Sequence, residues 1–231
     1  MKKSVKKSLS IIVAAMLSTI AVQANAALLI TEVAPWASSA ANAPYATDWF
    51  ELTNTGTSAL NISGWQMDDN TNGSAKVALT GITSIAAGES VIFTENAATA
   101  AFLITWFGTG APIGLQIGNY TGAGVGLSGT ADAVNIYNSI VDGSLLQANV
   151  TFGASDALAP YQTFDNAAGL NNTAISTLSV GGANGAFVAL NDVNEIGSPG
   201  SIAAAIPEPE TYAMLLAGLG FMGFASRRRQ G

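Results

Sequence analysis

Two runs near the start of the chain are rich in strand-forming residues: Leu28-Leu29-Ile30-Thr31-Glu32-Val33 and Asp48-Trp49-Phe50-Glu51-Leu52-Thr53. β-Branched and aromatic residues favour the pleated, half-buried surface of a sheet. The second run stops at Asn54-Thr55-Gly56, which is typical of a turn. The two runs therefore predict that the domain opens with β-strands.

Six more runs of this type follow, separated by stretches that contain Gly, Asn, Asp or Pro: residues 62–67, 90–94, 133–137, 148–152, 175–180 and 187–190. Alternation with a period of two predicts that one face of these strands points inward, with core residues Trp65, Met67, Val134, Ile136, Val150 and Phe152. Many short strands with regular turn signals predict an all-β fold, either a sandwich or a barrel.

One segment departs from this pattern. Residues 97–106 are rich in Ala, and Phe102, Trp106 and Phe107 are spaced to lie on one side of a helix. We expect one short helix here that covers an end of the sandwich. The Gly-rich stretch that follows, residues 108–129, predicts a long and only partly ordered connection.

The opening runs also resemble a known family. Ile30-Thr31-Glu32-Val33, residues 48–54 and Leu60-Asn61-Ile62-Ser63-Gly64-Trp65 are similar to the first strands of lamin-tail domains, and Gly197-Ser198-Pro199-Gly200 resembles the end of that family. The resemblance covers residues 28–200 and implies an immunoglobulin-like β-sandwich. It also implies a role in interaction or anchoring rather than catalysis, and it supplies neither a catalytic set nor a ligand.

The composition excludes several classes of chemistry. The 231 residues include no His and no Cys, and only 10% are charged whereas 49% are hydrophobic. A chain without His and Cys has no Ser-His-Asp triad, thiol nucleophile, disulfide or Cys/His zinc site. What remains is acid–base chemistry by carboxylates, binding of a hard cation such as Ca²⁺, or no catalysis at all. Of these we expect no enzyme activity, and no cofactor beyond Ca²⁺.

The charges are unevenly distributed along the chain. Between Ala27 and Ile206, a segment that we call the body, one basic residue (Lys76) faces thirteen acidic ones, which gives a net charge of −12. A body of this charge repels phosphate backbones, so nucleic acid is not an expected partner. The charge favours cations, basic partners or simple solubility.

Residues 1–26 have the three parts of a secretory signal peptide. Four lysines lie within the first seven residues, an apolar run follows at residues 9–22, and Ala24-Asn25-Ala26 offers the small residues that signal peptidase accepts. Cleavage after Ala26 would make Ala27 the first residue of the mature chain. The alternative is a buried N-terminal helix, which the lysines and the cleavage site disfavour.

The C-terminal segment, residues 204–231, also has three parts. Pro207-Glu208-Pro209 is followed by an apolar run of 16 residues, 211–226, and then by Arg227-Arg228-Arg229. As a helix this run would measure about 24 Å, against roughly 30 Å of bilayer hydrocarbon, so it would make a short transmembrane helix. The arginines would stay on the cytoplasmic side.

These C-terminal parts resemble the PEP-CTERM sorting signal of exported bacterial proteins. The resemblance implies recognition by an exosortase, a membrane-embedded enzyme, and removal of the tail. It also implies a Gram-negative bacterium that makes exopolysaccharide or a biofilm matrix. An ordinary C-terminal membrane anchor is the alternative, and it differs only in whether the tail is cut.

These features predict three parts: a signal peptide at 1–26, a lamin-tail-like β-sandwich at 27–203 and a sorting segment at 204–231. We expect export, a transient stay in the inner membrane, and release to the cell surface or extracellular matrix. The expected partners are signal peptidase and the exosortase, together with exopolysaccharide or other surface proteins for the sandwich.

One turn has the spacing of a calcium loop. Residues 68–73 fit D-x-N-x-N-G, in which Asp68, Asn70 and Asn72 would direct oxygens at a cation. Position 12 of such a loop would be Leu79, so the bidentate Glu is missing. A polar turn that serves backbone geometry is the preferred interpretation, and calcium is the alternative.

The spacing GxGxxG at residues 124–129 does not predict a nucleotide site. No strand–turn–helix unit surrounds it, and the residues that follow do not open an amphipathic helix. We expect a flexible loop.

Two sets of side chains are candidates for binding or chemistry. Asp48 and Glu51 are close in sequence but face opposite sides of a strand, and Glu32 on a neighbouring strand could approach either. Trp36 and Tyr45, in the loop that follows the first strand, are candidates for contact with carbohydrate. The alternative for all the aromatic residues is packing in the core.

Overall fold

The computed structural model describes residues 28–35, 47–69, 76–138, 145–155, 158–165 and 174–201. These residues form fifteen strands and one helix, α1 (Thr99–Phe107), which lies between the seventh and eighth strands. In chain order the strands are β1 (Leu28–Ala34), β2 (Trp49–Asn54), β3 (Leu60–Asn61), β4 (Gln66–Asp68), β5 (Val77–Ala78), β6 (Ser84–Ile85), β7 (Ser90–Glu95), β8 (Gln116–Tyr120), β9 (Asp132–Tyr137), β10 (Leu146–Phe152), β11 (Tyr161–Gln162), β12 (Phe164–Asp165), β13 (Ala174–Ile175), β14 (Phe187–Ala189) and β15 (Asp192–Gly197).

Two five-stranded sheets form the body of the fold. Sheet 1 has the order β12-β1-β2-β7-β8, and sheet 2 has the order β13-β10-β9-β4-β5. Both are antiparallel except at one edge, where β7 pairs with β8 and β10 with β13 in parallel. Sheet 3 has the order β11-β15-β14, and β3 pairs with β6 as a ribbon. The predicted all-β, immunoglobulin-like sandwich with one short helix is confirmed.

The main core lies between sheets 1 and 2. Sheet 1 contributes Ile30, Val33, Phe50, Leu52, Val91 and Phe93. The six residues predicted to point inward are all buried in this core: Trp65, Met67, Val134, Ile136, Val150 and Phe152. Alternation with a period of two thus correctly predicts which of these side chains are buried.

A second core covers the outer face of sheet 1. Trp49 lies on this face because its neighbour Phe50 points to the main core. Phe102 and Trp106 of α1 meet the Trp49 ring edge to face, at centroid distances of 5.4 and 5.7 Å. The predicted helix is confirmed, although it packs on this face rather than at an end of the sandwich. Phe187 of β14 completes the cluster at 5.6 Å from Trp106.

Two predicted strands are shorter than expected. Residues 62–65 form a turn in which the Trp65 N–H donates to the Ile62 carbonyl at 3.1 Å, so only Gln66–Asp68 remains extended. The Asn61 side chain accepts from the Ser63 N–H at 2.9 Å and stabilises this turn. Of the run at 175–180 only Ile175 lies in a strand, as the second residue of β13 (Ala174–Ile175).

The Gly-rich connection at 108–129 contains a strand that the sequence analysis did not predict. β8 lies parallel to β7, and Gly118 is at its centre. A Cβ on Gly118 would lie 2.5 Å from the Thr80 carbonyl oxygen and 2.6 Å from the Phe93 ring. The glycine that suggested a loop is there because the strand passes too close to its neighbours for a side chain.

The predicted signal helix in residues 1–26 and the predicted transmembrane helix in residues 211–226 lie outside the described residues. Within the ranges given above, no helix combines the length and the apolar character that crossing a membrane requires.

Candidate functional site

A β-bulge brings two acidic side chains together on the outer face of sheet 1. The register of β1 against β2 shifts between Ile30 and Glu32. Ile30 and Val33 both point into the main core although they are three residues apart, so Thr31 is the extra residue. The bulge turns Glu32 away from the core, and it pairs in register with Glu51 of β2. We call Glu32 and Glu51 the carboxylate pair.

The Glu32 carboxylate binds the residues that follow β15. Its Oε1 accepts from the Ser198 N–H at 2.7 Å and from the Thr163 hydroxyl, and its Oε2 accepts from the Ser198 hydroxyl at 3.2 Å. Gly197 lies directly over it, because a Cβ there would be 2.6 Å from Glu32 Oε1. We call residues 197–200 the closing segment.

The Glu51 carboxylate binds the same segment from the neighbouring strand. Its Oε2 accepts from the Gly200 N–H at 2.6 Å, and its Oε1 accepts from the Thr31 hydroxyl at 2.5 Å. Hydroxyls continue across the sheet, from Thr31 to Thr53 at 2.9 Å and from Thr53 to Ser90 at 2.6 Å. A row of polar groups therefore supports the pair on the sheet side.

Burial sets the protonation of the pair. Glu32 and Glu51 are 0% and 1% exposed. Burial, and then the charge of Glu51, raise the pKa of Glu32 well above its ordinary value. Burial likewise raises the pKa of Glu51 to about 7, against the hydrogen bonds from Thr31 and Gly200. The pair therefore retains a proton near neutral pH.

The acidic members of this site are identifiable from the sequence, but their hydrogen-bond partners are not. Asp48 and Glu51 do lie on opposite sides of β2, and the buried Asp48 accepts from the Leu127 N–H at 2.9 Å. Glu32 approaches Glu51 rather than Asp48. The role of Thr163 and Ser198 in binding Glu32 was missed, because both are distant in sequence. A signal was present: acidic residues in two buried strands need donors, and residues 197–200 can supply main-chain N–H groups.

The two carboxyl groups of the site bind main-chain N–H groups of the same protein chain. Both carboxyls are closed off from solvent, and each accepts a main-chain N–H from the closing segment. Such an arrangement joins the last described strand to the first two strands of the domain. It connects elements of the sandwich rather than presenting a carboxyl group to a substrate.

The predicted calcium turn begins in a buried polar cluster. Asp68 is 1% exposed, and its Oδ1 accepts from Asn135 Nδ2 at 2.8 Å and from the Tyr137 hydroxyl at 3.5 Å. Burial raises the pKa of Asp68. The Lys76 ammonium lies 4.1 Å from the centre of the Tyr137 ring. Asn70 and Asn72 lie outside the described residues, so the calcium site stays a prediction.

In the part of the chain that the structure describes, no group of three or more Asp, Glu, His or Cys side chains has an arrangement that could hold a metal ion. The GxGxxG segment at 124–129 is a loop, as predicted. It packs against the sandwich through buried Val125 and Leu127, and the Ser128 N–H donates to Asp132 at 2.7 Å.

The other predicted site residues lie outside the described ranges. They are Ala24, Ala26 and Ala27 of the signal cleavage site, Trp36 and Tyr45 of the carbohydrate prediction, and Pro207, Glu208, Pro209, Arg227, Arg228 and Arg229 of the sorting segment. Each of these assignments stays a prediction.

Comparison with known proteins identifies the two parts of the chain. The family model of the Lamin Tail Domain matches residues 21–154, and that of the PEP-CTERM protein-sorting motif matches residues 205–229. Neither a curated protein nor a solved structure matches the chain. The lamin-tail match ends before β11, so the domain limits of 27–203 stay a prediction. With more than half of its length matched, the chain belongs to the Lamin Tail Domain family, and its sorting motif makes it an exported, exosortase-sorted protein of a Gram-negative bacterium.

Proposed function

We propose that this protein is a non-catalytic component of the cell surface or biofilm matrix, which the exosortase delivers and C-terminally processes. The observation that supports the proposal is the combination of an immunoglobulin-like sandwich with a sorting motif on one chain. The sandwich acts as an interaction domain toward exopolysaccharide or other surface proteins. Signal peptidase acts first, and the C-terminal helix holds the protein in the inner membrane until the tail is removed.

Two features of the body support a passive role. It has neither His nor Cys, and the buried carboxylate pair is occupied by main-chain donors of the same chain. The net charge of −12 between Ala27 and Ile206 keeps copies of the protein apart and favours contact with cations and basic partners.

Processing is tested by measuring the C-terminal mass of the protein from cell fractions. We expect a mass that lacks the arginine cluster in the wild-type host, and the full mass in a host without the exosortase. Glu208→Gln changes the tripeptide and should reduce cleavage, whereas Glu210→Gln, just outside the tripeptide, serves as the matched control. Unchanged export and an unchanged C-terminal mass in both hosts would overturn the proposal.

A specific binding module for calcium or polysaccharide is the second candidate. It is supported by Asp68, whose buried Oδ2 accepts no hydrogen bond from any described residue. Such an oxygen suits a hard cation. The aromatic side chains of Trp36 and Tyr45 would contact sugar rings in the same module.

Calorimetry of the purified mature protein with Ca²⁺, and separately with host exopolysaccharide, tests this candidate. Asp68→Asn should abolish heat from calcium, and Trp36→Ala should reduce heat from polysaccharide. Asp192→Asn, at the first residue of β15, is the control for a change of charge alone. Absence of both heat and a thermal shift with either ligand would leave only the structural role.

A further inference from the structure

The closing segment is bound through its main-chain donors. The Ser198 N–H donates to Glu32 at 2.7 Å and the Gly200 N–H donates to Glu51 at 2.6 Å. Pro199 between them has no N–H, so two successive amides of the segment are each held by a different member of the pair. The segment therefore depends on both carboxyls at once.

Asp165 is a further acidic group beside the pair, and the one basic residue of the body lies elsewhere. Asp165 of β12 is in register with Glu32, and Glu195 is buried on β15, two residues before Gly197. Among the described residues, the hydroxyls of Thr31, Thr163 and Ser198 donate hydrogen bonds to the pair. Lys76 is the only basic residue between Ala27 and Ile206, and it lies on sheet 2 over the Tyr137 ring.

We propose that the carboxylate pair is a proton-dependent latch, which holds the closing segment while the pair keeps a proton and releases it when both carboxyls ionise. Two adjacent buried charges without a counter-ion are unfavourable, and hydration relieves them. The cover that must move to admit water is the closing segment, because its last residue, Gly200, is partly exposed.

The latch determines how far the sorting segment can extend from the sandwich. With the latch closed, residues 201–206 separate the sandwich from Pro207, and six residues can span at most about 20 Å. Release of the closing segment lengthens this connection to roughly 33 Å. The latch would thus regulate how far the PEP motif extends from the sandwich, and this consequence rests on the proposed processing by the exosortase.

Hydrogen exchange of the purified full chain in detergent micelles tests the latch without any exosortase. After correction for the intrinsic pH dependence of exchange, we expect the Ser198 and Gly200 amides to exchange at least about tenfold faster at about pH 9 than at about pH 6. The amides of Val134 and Ile136 in the centre of sheet 2 serve as the internal reference. Since no processing is involved, this result is independent of whether the tail is cut.

Glu51→Gln makes one member of the pair permanently neutral, and its corrected exchange should stay within about twofold over the same range. Glu89→Gln, a half-buried carboxyl outside the pair that accepts from the Ala86 N–H, is the control and should behave like wild type. Equal corrected exchange at both pH values in the wild-type protein overturns the latch. The latch is also overturned if, in Glu51→Gln, the reference amides stay protected and exchange of the Ser198 and Gly200 amides still accelerates as much as in wild type. Should Glu51→Gln not fold, the wild-type titration alone decides.

Discussion

At the scale of single residues, the site depends on where a side chain is absent as much as on where one is present. Glu32 and Glu51 are readable in the sequence as acids on neighbouring strands. Their burial cannot be predicted from the sequence, because it depends on Gly197, which lies far along the chain and has no room for a Cβ. A pattern of period two cannot indicate a cover that is distant in sequence.

Gly197→Ala should destabilise the protein. The added Cβ would lie 2.6 Å from Glu32 Oε1 and 2.9 Å from both Thr163 and Trp106, so the closing segment must shift. We expect a loss of about 1–3 kcal/mol in the free energy of unfolding, measured by urea denaturation. Gly126→Ala is the matched control, because nothing lies within 4 Å of its Cβ position. Equal stability of the two variants would contradict the tight contact.

Stability should fall as the pH rises through the range in which Glu51 titrates. The pKa of Glu51 is raised from 4.5 to about 7 in the fold, so the unfolded chain gives up this proton first. The stabilisation of the fold by this proton is fully present below about pH 4.5. It decreases by roughly 3 kcal/mol as the pH rises through 7. Urea denaturation from about pH 5 to pH 8 measures this slope.

Glu51→Gln should remove the part of the slope that Glu51 contributes, because Gln is neutral throughout, whereas the part from the buried Glu32 should remain. The variant should be more stable than wild type at the alkaline end. Glu89→Gln should retain the wild-type slope, since Glu89 is only half-buried and lies outside the carboxylate pair. Parallel stability curves for wild type and Glu51→Gln would show that Glu51 carries no buried proton.

At the scale of strands and helices, an element is predictable from the sequence when its buried side chains recur with the period of a strand or a helix. β9 and β10 obey alternation, and their core residues are predictable. α1 was predictable from the spacing of its aromatics. β8 was not, because Gly118 is required by a close approach that only the folded neighbours create. β15 was not predicted as a strand, since its buried residues include Glu195 and Gly197.

The bulge in β1 predicts an unusual tolerance to deletion. Without Thr31, Ile30 is followed directly by Glu32 and Val33. These three residues then alternate regularly between the two faces of the sheet, each on the face that it already occupies. We expect the deletion variant to fold, with a moderate loss of stability from the missing Thr31 hydroxyl. Deleting Ile92 from the regular ladder of β7 should instead prevent folding, because Phe93 would change faces. Far-UV circular dichroism and urea denaturation separate the two outcomes, and failure of both variants to fold would contradict this account of the bulge.

The helix should contribute chiefly through its buried rings. Phe102→Ala removes a fully buried ring that packs on Trp49, and we expect a loss of about 3–5 kcal/mol. Ile104→Ala on the same helix is the control, because Ile104 is 56% exposed, and it should cost much less. Thermal denaturation of both variants measures the difference. Similar losses would mean that α1 is stabilised by helix propensity rather than by the second core.

At the scale of the whole molecule, residues beyond the lamin-tail match complete the sandwich. β12 forms the edge of sheet 1, and Phe187, Ala189 and Tyr161 enter the second core. A chain that stops after residue 154 lacks all of these contacts. We expect it to bind a hydrophobic dye and to lose cooperative unfolding, whereas a chain that stops after Ser201 should unfold like the intact protein. Cooperative folding of the shorter chain would show that the matched region is self-sufficient.

The contact between Glu32 and Ser198 joins positions that are 166 residues apart. A ribosome has therefore made nearly the whole protein before the two can meet, and until then both acids are hydrated and carry ordinary charges. Closure of the last residues then transfers them out of water, and at neutral pH the chain must bind a proton in the same step. Completion of the fold is in this way a protonation reaction, whose rate and extent depend on the acidity of the compartment in which the chain matures.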